Sequence, residues 1–337
     1  MPSKNKITLV ILLLICAILV TFASTVGPVK IILVAIAIFL AFLPFCSKHL
    51  GKIRFLATDL FCHPIIINAL IPTKFGCIKH DNLGDDLNWF LIKKLQKRSV
   101  SLLCDSIVGR ICKLENYLVI GSTVTILTNK KTIIWGAGAI DGSRPLKAIP
   151  QKICAVRGPL TRKYFLDKGI ACPPIYGDPA FLTKFFYKPK KEKNHKLGII
   201  PHYIDFHSEK FHTLKNNPDI LFIRMQNYES VQSVIDQITS CEMILSSSLH
   251  GLILSETYDI PNIWMKVSDN IDGGTFKYQD YFESIGVYNA EPYLFNGNES
   301  KEELLDLFGK YQKGHINLKP LVDAAPFDLN LNLEDVV

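Results

Sequence analysis

Apolar positions along this chain follow two regimes. From 7 to 23, "ITLVILLLICAILVTFA", and from 29 to 45, "VKIILVAIAIFLAFLPF", they run almost without interruption. Each run is 17 residues long and would span about 26 Å as a helix, slightly under a hydrocarbon core of about 30 Å. Joined by the short turn "STVGP", they predict a transmembrane helical hairpin within residues 1–47. Beyond a basic, aromatic connector at 48–70, short apolar runs alternate with amphipathic stretches. The runs at 117–121, 132–138, 152–158, 196–203, 219–225, 241–248 and 262–267 predict buried strands. The stretches at 86–97, 159–168, 228–240 and 251–258 predict helices. Strand and helix in alternation mean an α/β protein with parallel sheets covered on both faces. The segment "YKPKKEKNHK" at 187–196 is too charged for a core and separates one half, 71–186, from another, 197–318, each sized for one doubly wound unit. The tail, 319–337, has weak periodicity and reads as a partly ordered strap. Two such halves facing each other place the ligand site in the cleft between them, outside the carboxyl ends of the strands.

Charge orients the hairpin. Lys4 and Lys6 precede the first run, Lys48, Lys52 and Arg54 follow the second, and only Lys30 lies near the turn. The positive-inside rule then puts both ends, and the two halves, on the cytoplasmic side of the inner membrane. A cleaved signal peptide ending at "TFAS" is the competing reading, opposed by the second apolar run. A hairpin dipping into one leaflet leaves the halves on the same side. The nine cysteines are scattered without a C-x-x-C pair, which fits a reducing compartment. With 38 Lys and Arg against 31 Asp and Glu, the net charge of +7 is modest. Part of it lies beside the apolar runs and in 187–196, suiting anionic lipid and acidic substrates, and no nucleic-acid-binding motif appears. No His, Cys or Asp cluster has metal-ligand spacing, so no metal is expected.

Five stretches carry candidate chemistry. In "IKHDNLGDDLNWFLIKKL", 78–95, Asp81, Asn82, Asp85, Asp86 and Asn88 crowd around Gly84 before an amphipathic helix. Gly84 permits a tight turn, with Asp85 or Asp86 at the helix start. That can be a decorated cap, or carboxylates and amides at a cleft rim, where they would hydrogen-bond a polyol. "WGAGAIDG", 135–142, is a Gly-rich turn after a strand, and its Gly138 can let backbone amides approach a ligand. "AVRGPLTRKYFLDKGI", 155–170, sets Arg157 at a strand end and Pro159 in a first helical turn. Arg157 there either grips a carboxylate or phosphate beside free amides, or holds strand to helix by a salt bridge. Asp178 in "IYGDPAFL" is a cap or a cleft carboxylate. "MILSSSLHGLILSETYDIP", 243–261, ends a strand in three serines and opens a helix with Leu249, His250 and Gly251. The helix dipole favours a neutral imidazole there, able to act as base or donate to an anion.

Taken in order, "NLGDDLN", "WGAG", "VRGPLTRKYF", "YGDPAFL", "IPHY" and "SSSLHGLILSETYDIP" resemble the polysaccharide pyruvyl transferase family over about 76–266, in the branch acting in bacterial exopolysaccharide synthesis. The resemblance implies a two-domain GT-B-like fold and transfer of pyruvate from phosphoenolpyruvate, with no other cofactor, onto two hydroxyls of one sugar as a cyclic ketal. It implies that Arg157 and the Leu249–His250 pair hold phosphoenolpyruvate, with Ser248 beside them. Some members have an arginine where Ser248 stands, which leaves Arg162, Arg224 and Lys266 as candidate replacement cations. His250 would handle the proton, with His202 of "IPHY" a second acid or base. Gly84, Asp85, Asn88, Gly138 and Asp178 would line or support the sugar side. With the apolar hairpin, a lipid-linked oligosaccharide is one form the acceptor can take. A sugar-nucleotide glycosyltransferase of the same architecture, or a catalytically silent membrane scaffold, are the rival readings.

Overall fold

The computed structural model describes residues 62–74, 77–189 and 192–331. Both apolar runs lie outside the described residues, and among the described residues no helix is long and apolar enough to cross a membrane. The described chain from Cys77 onward and up to Thr73 belongs to one compact unit, which holds two five-stranded sheets.

The first sheet comprises β1 (Ile65–Ile67), β2 (Val100–Leu102), β3 (Asn116–Leu118), β4 (Thr132–Trp135) and β5 (Lys152–Ala155), in the order β2-β1-β3-β4-β5. The second comprises β6 (His195–Ile200), β7 (Ile220–Phe222), β8 (Cys241–Ser246), β9 (Asn262–Lys266) and β10 (Tyr293–Leu294), in the order β7-β6-β8-β9-β10. All these pairings are parallel. Counted within each half, the two orders are the same, 2-1-3-4-5, and each has its switch point between its first and third strands. The two parallel-sheet halves agree with the sequence pattern. One boundary does not: Ile65–Ile67 falls inside the expected connector at 48–70, yet forms β1, with all three side chains buried. Three β-branched isoleucines after Pro64 suffice for a central strand because both faces are covered.

The helices that shape the site are α1 (Leu83–Leu95), α2 (Pro159–Leu166), α3 (Val231–Thr239), α4 (Leu249–Thr257) and α5 (Phe276–Ser284). Helix α1 begins three residues before the expected 86, because Asn82 caps it by accepting from the Gly84 N–H at 3.1 Å. Leu87 and Leu91 of α1, Val234 and Ile235 of α3 and Leu252 and Ile253 of α4 join one apolar core. Each such side chain contributes about 1.5–3 kcal/mol by burial. This core runs across both halves, and the Leu83 N–H donating to the Met225 carbonyl at 2.9 Å ties them at the start of α1.

The chain also crosses back. Helix α5 follows β9 of the second sheet but packs on α2 of the first half, where Asp280 receives the Arg157 Nε at 2.9 Å. The described part of the expected strap, 319–331, lies on the first half. Trp135 Nε1 donates to the Leu321 carbonyl at 2.8 Å, and Phe327 packs edge-on against Tyr117 and Trp135.

Candidate functional site

A cleft of about 240 Å³ opens where the two switch points meet. The ends of β1 and β3 supply Leu70 and Gly121 to Thr123, and the ends of β6 and β8 supply His202 to Ile204 and Ser248 to His250. Asn82 and Asp85 at the start of α1 and Lys277 of α5 complete the wall. An open groove beside Tyr187 and Tyr258 is larger, about 820 Å³, but it is the smaller cleft that gathers two imidazoles, two carboxylates and an ammonium, those of His202, His250, Asp85, Asp272 and Lys277.

His250 is the second residue of α4. Ser248, at the cap position, makes no side-chain cap, so the first amides of this helix are left without a partner from the cap side chain and open toward the cleft. Ser246 instead stabilises the turn: its hydroxyl donates to the Ile200 carbonyl and accepts from the Ser248 N–H at 3.0 Å. His250 Nε2 faces Asp178 Oδ2 at 3.7 Å, and both atoms are buried with no hydrogen-bond partner. The gap is about 1 Å longer than an N–H···O bond. Asp178 is a cap, fully buried behind the cleft wall rather than lining it. Its Oδ1 caps the 3-10 turn Pro179–Phe185 through the Ala180 N–H at 2.9 Å, while Oδ2 aims at the histidine. Gly84 does not make a turn; it lies inside α1, where a Cβ would stand 2.2 Å from His250 Nδ1. Its missing side chain lets the two helix starts, one from each half, close on one another.

Asp85 is buried in the cleft wall and accepts from Asn82 Nδ2 at 2.7 Å. Burial pushes its carboxyl up to about 6, while His250 and the Asn82 hydrogen bond hold it back. It can therefore change protonation near neutral pH. Asp86 points away, accepting from Tyr228 and pairing with His80 Nδ1 at 2.8 Å. His202 lines the cleft, and burial followed by the nearby Lys277 charge pushes its imidazole down to about 3. Its Nδ1 accepts from the Ile204 N–H at 3.3 Å, so at neutral pH the ring is neutral with its proton on Nε2.

Besides Asp178, three expected contacts are not in the cleft wall, Arg157, Gly138 and Asn88. Arg157 is fully buried, and its guanidinium is spent on Asp280, the Ser122 hydroxyl at 2.6 Å and the Ala139 carbonyl at 2.8 Å. The carboxylate it grips is the protein's own. Asp280 also takes the Thr161 N–H at 2.8 Å, filling the N-terminus of α2. Gly138 makes room for that guanidinium, since a Cβ would come 2.3 Å from its central carbon. Asn88 is fully buried and clasps the end of β3, donating to the Ile120 carbonyl at 3.0 Å and accepting from the Ile120 N–H at 2.8 Å.

The replacement cations expected from the sequence are also elsewhere. Arg162 donates to the Cys172 carbonyl at 3.0 Å, Arg224 lies over the Phe206 ring and Lys266 pairs with Asp269 at 2.6 Å. Among the described residues, Lys277 is the cation in the cleft wall, and the sequence reading did not find it. Burial pushes its ammonium down to about 8, with Arg157 adding to the effect. No motif marked it, because "GTFKYQDYF" reads as an ordinary amphipathic stretch. Among the described residues no group of three or more His, Cys, Asp or Glu side chains is placed to hold a metal ion.

These features define a two-halved α/β protein whose cleft pairs an open helix start and a histidine with a buried acid. The chain belongs to the polysaccharide pyruvyl transferase family, whose sequence profile matches residues 82–269. It is 30% identical over 218 residues to the uncharacterized protein L143 of Acanthamoeba polyphaga mimivirus, covering 62% of this chain and 73% of that one. It is 26% identical over 212 residues to the succinoglycan biosynthesis protein ExoV of Rhizobium meliloti, covering 62% of this chain and 63% of that one.

Proposed function

We propose that this chain transfers the pyruvyl group of phosphoenolpyruvate onto two hydroxyls of one sugar, as a cyclic ketal, during synthesis of an extracellular or cell-surface polysaccharide. The observation that carries this reading is the open start of α4, with His250 at its second position, beside the buried Asp85 in the same cleft. Phosphoenolpyruvate brings a phosphate and a carboxylate, which suit free helix amides. The acceptor is a polyol, which suits a carboxylate that can take a hydroxyl proton.

The chemistry balances with these groups. A proton added to the donor's methylene carbon makes a methyl group and leaves the neighbouring carbon cationic. One sugar hydroxyl adds there and loses its proton, and the second hydroxyl displaces phosphate, which leaves with the C–O electron pair. Of the two hydroxyl protons released, one balances the new C–H bond and the other goes with phosphate. His250, backed by Asp178, moves the proton at the donor, and Asp85 accepts from the acceptor hydroxyl. His202, neutral, offers an N–H to the oxygen of the departing phosphate as it takes the C–O electron pair.

The like-ordered sheets facing across a cleft support the GT-B-like architecture. The two apolar runs and their basic flanks support a place at the cytoplasmic face of the inner membrane, where a lipid-linked oligosaccharide would be presented. The test is to incubate the full-length chain with phosphoenolpyruvate and candidate glycans, following phosphate release and the ketal methyl signal by NMR. Phosphate release that depends on the glycan, with the ketal methyl appearing, is the expected result. Thermal stabilisation by a nucleotide sugar and none by phosphoenolpyruvate would move the chain to the glycosyltransferase reading. Stabilisation by neither would leave the scaffold.

A further inference from the structure

The donor proposed above carries two anionic groups, and the cleft must answer both. Helix amides at α4 answer one. For the other, the cleft wall offers two carboxylates, Asp85 and Asp272, and the single ammonium of Lys277 among the described residues. Arg144 of the first half already binds the Asp272 side chain. What remains for Lys277 is the Asp272 backbone carbonyl, to which its Nζ donates at 3.2 Å, and the face of the Tyr278 ring, 5.3 Å away. A buried ammonium with one neutral hydrogen bond keeps two N–H donors and a full charge for something else. The same cleft holds a second unfinished group: Thr123 Oγ1 is buried and has no hydrogen-bond partner. Arg157 reinforces the local positive field from behind through Ser122, while its own charge is answered by Asp280.

We propose that Lys277 is the residue that holds an oxyanion of the donor in this cleft, with the Thr123 hydroxyl supplying a further hydrogen bond, and that this pair serves in place of a cation at position 248. The inference rests on the donor reading above. It assigns the anion site to a helix, α5, that lies beyond the matched family segment, 82–269. Its depressed proton affinity fits the assignment, because an incoming anion restores what burial and Arg157 take away.

The experiment is titration calorimetry of the full-length chain with phosphoenolpyruvate, inorganic phosphate and pyruvate. It compares wild type, Lys277→Met, which keeps the apolar stem, Lys277→Arg and Thr123→Val. The expected result is a loss of phosphoenolpyruvate affinity of about tenfold or more in Lys277→Met, a smaller loss in Thr123→Val, and retention within a few-fold in Lys277→Arg. Whichever of phosphate or pyruvate loses binding in Lys277→Met identifies the group held. Wild-type affinity in a folded Lys277→Met overturns the inference and leaves the donor reading standing. Failure of the wild type to bind any of the three probes overturns both. Should circular dichroism show Lys277→Met unfolded, Lys277→Gln replaces it. Loss in the glutamine variant with retention in the arginine variant supports the assignment, and equal affinity in the two overturns it.

Discussion

Two helices in this molecule start in nearly the same way and end up with opposite roles. Helix α2 of the first half and α4 of the second each follow a sheet strand through a short turn, and neither has a side-chain cap. At α2 the free amides and the adjacent Arg157 are answered by Asp280, a carboxylate carried in from the far end of the chain. At α4, among the described residues, the nearby carboxylate of Asp178 faces the His250 ring at 3.7 Å without filling the helix start, and Ser248 to His250 line the cleft. An anion-binding helix start is thus a local property of sequence, but whether it binds a ligand depends on what the rest of the chain brings to it. The filled start joins the halves, and the open one serves the cleft.

Substitution at the open start has the largest expected effect. His250→Ala should lower turnover by about 10²–10⁴-fold while the protein stays folded, as expected for loss of a proton-transfer group. Asp178→Asn should lower it less, since the histidine remains and only its buried partner changes. Phosphate release and a thermal melt on the same samples separate the two. Near-normal turnover in a folded His250→Ala would break the comparison.

At the filled start the effect should be on stability. Arg157→Ala leaves Asp280 buried and unpaired, and should cost about 3–5 kcal/mol. Replacing both, Arg157→Met with Asp280→Leu, should recover much of that in urea unfolding. A folded Arg157→Ala with unchanged stability but greatly weakened phosphoenolpyruvate binding would return Arg157 to the donor site.

Asp85 makes a pH prediction at the boundary between the two halves. Its folded-state carboxyl titrates at about 6 against an ordinary 3.8, so the native state holds more protons than the unfolded one between those values. Its contribution to stability therefore falls as pH rises from about 4 to about 6, by up to about 3 kcal/mol. Relative to wild type, Asp85→Asn should gain stability through that window and keep a constant difference above it, in urea titrations at stepped pH. His202, whose affinity is lowered, works in the other direction, losing stability as pH falls from about 6.5 toward 3. The single substitution is needed to see either slope. The smallest effect belongs to Arg162→Ala, Arg224→Ala and Lys266→Ala. Each should leave donor affinity within about twofold, since these side chains lie away from the cleft and a surface pair contributes about 0–1 kcal/mol.

Much of this was legible in the sequence, and what was hidden has identifiable causes. Long apolar runs gave the strands around the cleft, because parallel strands covered on both faces must be apolar throughout. Shorter ones escaped: "III" of β1 adjoins a basic connector, and "VSL" of β2 is three residues long. His250, Asp85 and Asp178 were placed in the cleft or beside it because helix starts and strand ends are local features. Arg157 was left between a ligand clamp and a salt bridge because its partner Asp280 is 123 residues away, beyond any local pattern. Lys277 was missed for a related reason. Buried lysines run against the usual distribution of charge, and nothing within α5 reveals that its face turns to a cleft formed by other elements.

The returning chain also dictates an order of assembly. The first half is synthesised first but completed late: Arg157 waits for Asp280, and Trp135 for the Leu321 carbonyl 186 residues further on. Until then the early half carries an unanswered buried charge and an uncovered aromatic edge, the kind of surface that draws chaperones or non-native partners on a nascent chain. A cleft whose wall includes Lys277 is therefore incomplete until α5 has left the ribosome, and a chain interrupted before α5 carries the matched family segment but lacks that part of the wall.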